Sequence, residues 1–177
     1  RTAVAGALWP EASEARAHAS LRSALARLEG GARDAVLTTF ADIGLAAGVA
    51  VDLRDARATA CRLLVHKGPH RPTDMDEAAI ATLSAELLPD WYDDWVVVET
   101  EEWRQLRLHA LEALAGYLVR EGRFGDAARA ALAAVQAEPL RESAQATLIA
   151  VHLAEGNQSE ALRTFDRYRA LLQAELG

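Results

Sequence analysis

The sequence has a single cysteine, no long apolar run and no excess of positive charge, and each shortage excludes a class of protein. One cysteine, Cys61, cannot build an internal disulfide framework, which favours a reducing, cytoplasmic environment. No apolar run approaches the roughly 18–20 residues of a membrane span, and no signal-peptide pattern opens the chain. The chain begins at Arg1 without a methionine, inside a predicted helix, so we expect a fragment of a longer protein.

The charge balance is acidic overall but unevenly distributed. The 177 residues carry 19 basic and 26 acidic side chains, a net charge of −7, which excludes a chain that is basic over its whole surface and coats nucleic acid. The first 54 residues are neutral, with six arginines and six acids, so the whole deficit lies in residues 55–177. A local cationic surface therefore remains compatible with the composition of the first segment.

The first 54 residues open with two predicted helices. Trp9-Pro10 ends a short alanine-rich stretch, because the residue before a proline is disfavoured in the α region. Ser13 is placed to cap a second helix, which continues with helical spacing over Arg16–Leu28. Gly30-Gly31 is expected to end it.

A β-hairpin is predicted behind the second helix. Two short β-branched runs, Ala35–Phe40 and Gly48–Leu53, flank a glycine-containing turn region at Asp42–Ala47. A helix followed by a hairpin is typical of the back half of a winged helix-turn-helix. We therefore assign residues 1–54 to the C-terminal part of a winged-helix DNA-binding domain.

Residues 55–177 predict a different, helical architecture. Breaks are expected at the loop 67–73 and at the stretch 89–95, and the helices pair into three antiparallel hairpins. The predicted helical segments are 55–66, 76–87, 100–121, 124–137, 141–155 and 158–175.

The last two hairpins repeat at an interval of 34 residues, which is the period of tetratricopeptide repeats. Ala127 and Ala161 are small residues where one helix crosses the other, and Pro139 follows a helix that it cannot continue. The fold class predicted is mainly α, a tetratricopeptide-like helical-hairpin domain (55–177) preceded by a partial winged helix. The matching pairs are Leu114/Leu148, Glu121/Glu155, Gly122/Gly156, Ala127/Ala161 and Arg129/Arg163.

One face of the second helix carries candidate DNA-binding residues. At about 100° per residue, Arg16, Ser20, Ser23 and Arg27 fall together, away from the apolar stripe. Guanidinium and hydroxyl groups on one side suit phosphate and base-edge contacts in a major groove. Thr38 and Thr39 lie near the tip of the predicted hairpin and join this set. The alternative is an ordinary amphipathic helix with a solvated polar face.

The sequence also contains residues of the types that bind metals, but their arrangement disfavours a metal site. Cys61, His66 and His70, with Asp74 and Asp76 nearby, contain zinc-type ligands, but no second cysteine exists. A buried thiol and loop histidines are the preferred interpretation, so we expect no metal and no cofactor.

Acids and aromatics are mixed between Asp90 and Trp103, and paired carboxylates can perform glycosidase-like acid/base chemistry. No pocket loop accompanies them, and no phosphate-binding, dinucleotide-binding, serine-hydrolase or zinc-protease motif is present. We expect the tryptophans to clamp the first hairpin to the repeats and the acids to be solvated. The chain is therefore predicted not to be an enzyme.

Several short stretches form the most distinctive part of the sequence: Glu86–Trp95 (ELLPDWYDDW), Trp103–Arg107 (WRQLR), Glu138–Glu142 (EPLRE), Glu155–Asn157 (EGN) and Glu175–Gly177 (ELG). In this order and spacing they resemble the bacterial transcriptional activator domain. That domain is the tetratricopeptide-like module of actinobacterial regulators in the Streptomyces antibiotic regulatory protein family. Upstream, Leu8–Pro10, Ser20–Arg22 and Arg27-Leu28 resemble helix 2 and the recognition helix of that family's OmpR-type winged helix.

The resemblance implies a cytoplasmic transcriptional activator. Such regulators bind direct repeats in promoter DNA as dimers and contact RNA polymerase. By this resemblance, the helix with Arg16 and Arg27 enters the major groove, Ala35–Leu53 forms the wing, and the helical module supports dimerisation or partner contacts. Two alternatives remain: a protein-interaction scaffold without DNA binding of its own, and a ligand-sensing regulator with a cavity between repeats.

Overall fold

The computed structural model describes residues 1–65 and 71–177, and its contacts divide the chain into two units, Arg1–Val51 and Asp52–Gly177. We call them unit 1 and unit 2 and describe each separately. Unit 1 consists of α1 (Thr2–Leu8), α2 (Glu14–Ala26), α3 (Gly30–Ala35), β1 (Val36–Thr38) and β2 (Ile43–Leu45).

Unit 1 has a small core, in which α1 packs against α2. Ala5, Ala17 and Leu21 are buried there, and Trp9 and Leu25 cover them in part. Helix α2 starts after Ser13, as predicted, although the serine hydroxyl makes no capping hydrogen bond. Its last residue is Ala26, two residues earlier than predicted.

Gly30-Gly31 follows the end of α2, as predicted, but it also begins a short helix that was not predicted. Gly30 has a φ of +52°, a left-handed conformation that glycine adopts at little cost, and the chain then enters the six-residue helix α3. As a result Ala35 ends a helix instead of opening a strand.

The predicted hairpin exists, but its second strand was placed wrongly. Strands β1 and β2 pair antiparallel with Val36 opposite Leu45 and Thr38 opposite Ile43, whereas the prediction used Gly48–Leu53. The turn between them closes early, because the amide of Thr39 donates to the carbonyl of Asp42 at 2.9 Å. The returning strand therefore begins at Ile43. Residues 52 and 53, which were predicted to belong to this strand, instead start the next helix.

Unit 2 is a series of packed helices. It consists of α4 (Asp52–Leu64), a 3-10 turn (Pro72–Met75), α5 (Glu77–Ser84), α6 (Asp94–Arg120), α7 (Phe124–Ala137), α8 (Glu142–Glu155) and α9 (Gln158–Leu176). Helix α6 packs on α4 and α7, α7 on α8, and α8 on α9, so the mainly helical fold with packed hairpins is confirmed. In the ranges that the structure describes, no helix has the length and apolar character that a membrane crossing requires.

Helix α6 starts six residues earlier than the predicted segment 100–121. Asp93 occupies its N-cap position with extended backbone. Asp94 places a negative charge in the first turn, where it is attracted by the positive end of the helix dipole. The added turns are held in place because Val96 is buried and Glu99 forms an ion pair with Arg57 of α4, 2.7 Å between Nη2 and Oε2.

The 34-residue repeat has the same local geometry in both copies. Gly122 and Gly156 both adopt positive φ values, +72° and +89°, at the turn between paired helices. A left-handed residue at the end of a helix satisfies its last carbonyls, and glycine does so without steric cost. The equivalent ion pairs Arg129–Asp126 and Arg163–Glu160 each measure 2.6 Å and follow the turn.

The face of α7 that packs inward is made of alanine. Ala127, Ala130, Ala131 and Ala134 are all buried, and they belong to one cluster with leucines of α6. Small side chains allow the two helix axes to approach closely, and the leucines fill the space between them. The equivalent alanine of the second repeat, Ala161, is buried as well.

This packing predicts that a larger side chain on the α7 face destabilises unit 2. We expect Ala127→Leu to lower the free energy of unfolding by about 2 kcal/mol, because the added carbons have no space to enter. Ala146→Leu, at an exposed position of α8, is the matched control and should change it by less than about 0.5 kcal/mol. Urea unfolding followed by circular dichroism measures both. Equal stability of the two variants would contradict the packing described.

Candidate nucleic-acid interface

The polar face of α2 forms one continuous surface. Arg16, Ser20, Ser23 and Arg27 line a shallow groove of about 550 Å³, whose wall includes Trp9. Both arginines and Ser23 are exposed, and Ser20 is half-buried. The structure thus brings these four predicted residues together, and their contact with DNA remains a prediction.

The two guanidinium groups of this surface differ in their local partners. Arg27 Nε donates to the carbonyl oxygen of Ser23 at 3.2 Å, which orients the side chain along the last turn of the helix. Within residues 1–65 and 71–177, Arg16 makes no hydrogen bond or ion pair. Its planar group is thus available for a bidentate contact with an anion.

The two hairpin threonines are placed away from this groove. Thr38 lies in a second groove of about 340 Å³, which is lined by Arg1, Arg22 and Arg33. The hydroxyl of Thr39 accepts a hydrogen bond from the amide of Asp42 at 2.9 Å, so it closes the hairpin turn. The structure therefore separates Thr38 and Thr39 from the helix face with which the sequence analysis grouped them.

Sequence reasoning missed Arg22 and Arg33. Arg22 is six positions after Arg16, which places it on another face of α2, and Arg33 belongs to α3, a helix that was not predicted. Arg22 belonged to the stretch that resembles a recognition helix, but it was not selected as a contact residue, and Arg33 had no signal beyond the number of arginines in the first segment. Their shared groove depends on how α2, α3 and β1 pack.

The residues considered for a metal site have other roles where the structure describes them. Asp74, only 2% exposed, accepts two hydrogen bonds from Arg62, at 2.9 Å from Nε and 2.7 Å from Nη2. These bonds hold the pKa of Asp74 below its usual value. Asp76 caps α5 by accepting from the amide of Ala79 at 2.8 Å. His66 and His70 lie outside the described residues.

The prediction that Cys61 is buried is wrong. The inward face of α4 consists of Ala56, Ala60 and Leu63, and Cys61 lies on the exposed side of the same helix. In the part of the chain that the structure describes, no group of three or more histidine, cysteine, aspartate or glutamate side chains is arranged to hold a metal ion.

The segment of acids and aromatics contains one structural clamp. Trp103 is buried, and its Nε1 donates to the carbonyl of Ala85 at 3.0 Å, which fastens the end of α5 to α6. The predicted clamp is thus confirmed for Trp103. It is wrong for Trp91, which is half exposed and packs edge-on against Trp95 with 6.1 Å between ring centroids.

The acids of this segment lie at the surface. Asp90, Asp93 and Asp94 are exposed. Hydrogen bonds from Arg104 and Gln105 lower the pKa of Glu101 to about 2. A general acid needs the opposite shift, because it must hold its proton near neutral pH.

The distinctive stretch Glu138–Glu142 follows α7 and is fastened to α6 by ion pairs. Arg104 of α6 bonds to Glu138, and Arg141 Nε lies 2.6 Å from Oε1 of Glu112, also of α6. Both members of the second pair are largely buried. The stretch thus fixes the connection between the two repeats.

Residues 51–177 match the family model of the bacterial transcriptional activator domain, which is more than half of the chain. The chain belongs to this family. Unit 2 is therefore a bacterial transcriptional activator domain, and the resemblance inferred from its sequence is confirmed. The match begins at Val51, so α1 to β2 lie outside it, and the winged-helix assignment of unit 1 remains a prediction. A search of curated proteins gave no match.

The Arg62–Asp74 pair predicts a pH dependence of activator-domain stability. The pKa of Asp74 is lowered in the folded state, against about 3.9 in an unfolded chain. The stabilisation is therefore present above about pH 4 and is lost as the pH falls through the lower, folded pKa. Asp74→Asn should lower the free energy of unfolding at pH 7 by about 2 kcal/mol, less than for a fully buried pair because Arg62 is 35% exposed.

Thermal and urea unfolding at pH 7 and at pH 3 measure this effect. Asp166→Asn removes an exposed carboxylate that pairs with Arg169 on α9 and is the matched control. It should change stability by less than about 0.5 kcal/mol. If both variants lost the same amount, the buried pair would have no special role.

The hairpin turn gives a second prediction. Thr39→Val removes the hydroxyl that accepts from the Asp42 amide, so hydrogen exchange at that amide should become roughly fivefold faster. Thr38→Val, one residue earlier and exposed, should leave this exchange rate unchanged. Amide exchange measured by nuclear magnetic resonance distinguishes them, and unchanged exchange in Thr39→Val would contradict the turn geometry.

Proposed function

We propose that this protein is a DNA-binding transcriptional activator of the bacterial cytoplasm, in which unit 1 grips promoter DNA and the activator domain contacts partners. The observation that supports this most is the groove of α2, where two arginines and two serines lie together on an exposed face. That helix is followed by a two-stranded ribbon, and the chain continues into a bacterial transcriptional activator domain.

In this proposal α2 enters the major groove of duplex DNA. The groove is about 12 Å wide and admits one α-helix. Arg16 and Arg27, at the two ends of the exposed face, are spaced to contact phosphates or guanine edges, and Ser20 and Ser23 between them can donate to or accept from base edges. The apolar face of the helix stays in the core through Ala17.

The second cationic groove adds backbone contacts. Arg22 and Arg33 line the same groove as Thr38, the last residue of the first strand of the hairpin that serves as the wing. Phosphate contacts position a protein on DNA, and each phosphate neutralised releases condensed counterions. The tip of the hairpin carries Phe40, whose side chain is fully exposed and available for the DNA surface.

The activator domain would provide contacts with a second copy of the chain or with RNA polymerase. Its last helix, α9, exposes Leu162 and Phe165, apolar side chains that a partner surface could cover. The domain also carries the acidic excess of the sequence, which makes it a poor ligand for phosphates. Because of this charge distribution, we assign DNA binding to unit 1 and partner contacts to the activator domain.

An electrophoretic mobility shift on the protein's own upstream promoter tests the proposal. With the full chain, Arg16→Ala/Arg27→Ala should weaken binding roughly tenfold or more, and each lost phosphate contact should reduce the salt slope by about 0.9. Arg123→Ala/Arg129→Ala, two surface arginines at the start of α7 and away from α9, is the matched control and should leave both quantities unchanged. Absence of any shift at low salt, or equal losses in the two variants, would defeat the proposal.

A protein-interaction scaffold without DNA binding is the second candidate. It is favoured by the neutral charge of unit 1, where acids equal arginines in number, and by the exposed apolar residues of α9. The same variants separate the two functions. A scaffold predicts that Arg16→Ala/Arg27→Ala changes neither promoter binding nor transcription.

A further inference from the structure

The activator domain contains a groove that the proposed DNA-binding function does not use. It measures about 490 Å³ and lies between the segment 86–92 and helix α6. This volume is within the range of small-molecule sites. Leu88, Trp91, Tyr92 and Val97 supply apolar and aromatic wall, and Arg104 and Arg107 also line the groove.

Arg107 is a buried cation whose charge is poorly balanced. Its side chain is 5% exposed, and among the described residues its guanidinium has one hydrogen-bond acceptor, the carbonyl of Ser84, at 3.1 Å. The carboxylate of Glu86 is 3.9 Å from Nη2 and points largely to solvent. Burial accordingly lowers the pKa of Arg107. A guanidinium has five N–H donors, so most of its hydrogen-bonding capacity is unused.

Arg104, in contrast, is already neutralised. It donates to both carboxylate oxygens of Glu101, at 2.8 and 2.9 Å, and forms an ion pair with Glu138. The groove thus holds one arginine with two close carboxylates and one whose nearest carboxylate, that of Glu86, is 3.9 Å away and largely exposed. A buried charge without a close counter-charge is costly, and an anion bound in the groove would remove that cost.

The wall opposite α6 is aromatic and strained. Tyr92 is 84% exposed and Trp91 50% exposed, although both line the groove. The backbone that carries them contains two non-glycine residues with positive φ, Leu88 at +46° and Asp90 at +74°. Such conformations are unfavourable for residues that carry a side chain, and they concentrate at ligand-binding segments.

We propose that this groove binds a small monocarboxylic acid with an aromatic or aliphatic body, and that the carboxylate pairs with Arg107. The fork of a guanidinium matches a carboxylate in two parallel hydrogen bonds. Trp91 and Tyr92 cover the apolar body of the ligand. The acids Glu86 and Asp90 also line the groove, and they repel a dianion such as a phosphate ester more strongly than a single negative charge. A regulatory role for this ligand rests on the proposed function, whereas its binding is measured without DNA and is tested separately.

Isothermal titration calorimetry with 2-naphthoate, 2-naphthamide and phenyl phosphate tests the proposal on the full chain. The acid and the amide have the same shape and differ in charge. We expect saturable binding of 2-naphthoate, binding of the amide at least tenfold weaker, and binding of phenyl phosphate weaker than the acid. No saturable binding of 2-naphthoate, equal binding of acid and amide, or tighter binding of phenyl phosphate overturns the proposal.

Three variants locate the site. Arg107→Gln keeps a donor for the Ser84 carbonyl and removes the charge, so it should reduce 2-naphthoate affinity to that of the amide and leave the amide unaffected. A purely structural role for Arg107 predicts equal losses for both probes, which would overturn the proposal. Tyr92→Ala, at an exposed position that cannot unfold the domain, should weaken both probes roughly fivefold, and unchanged binding would contradict the site. Arg163→Gln, on exposed α9, is the control.

Discussion

The close approach of α6 and α7 is the constraint on which the rest of unit 2 depends. Four alanines on the inward face of α7 allow the backbones to come together, and leucines of α6 fill the remaining space. The same arrangement recurs one repeat later with Ala161. Because each hairpin buries its apolar face only against its neighbours, the domain is stable as a series and not as separate helices.

Helix α6 is also the element to which the connecting segments are attached. Trp103 and Arg107 bind carbonyl groups at the end of α5, while Arg104 and Glu112 hold the stretch between α7 and α8. Trp103 and Arg107 are four positions apart and share one side of α6, whereas Arg104 and Glu112 project from other sides of the helix. The distinctive sequence stretches of the family resemblance are thus largely the anchors of loops, and the same anchors shape the groove beside Arg107.

Unit 1 distributes its apolar and charged side chains differently. Its buried apolar residues are Ala5, Ala17 and Leu21, and the arginines remain at the surface in two grooves. A small core leaves most of α2 exposed, which a surface for a large, charged partner requires. The activator domain instead buries its apolar residues in one large cluster and pairs most of its arginines with acids.

The sequence by itself determined helices α4 to α9 of unit 2, their 34-residue repeat and the grouping of Arg16 with Arg27, because these depend on spacing along a single element. Only the tertiary structure decided that Ile43–Leu45 is the second strand, that α6 begins at Asp94, and that Arg22 shares a groove with Thr38. Strand pairing depends on where a turn closes, and a groove depends on the packing of elements distant in sequence. Periodicity along one helix carries no information about either.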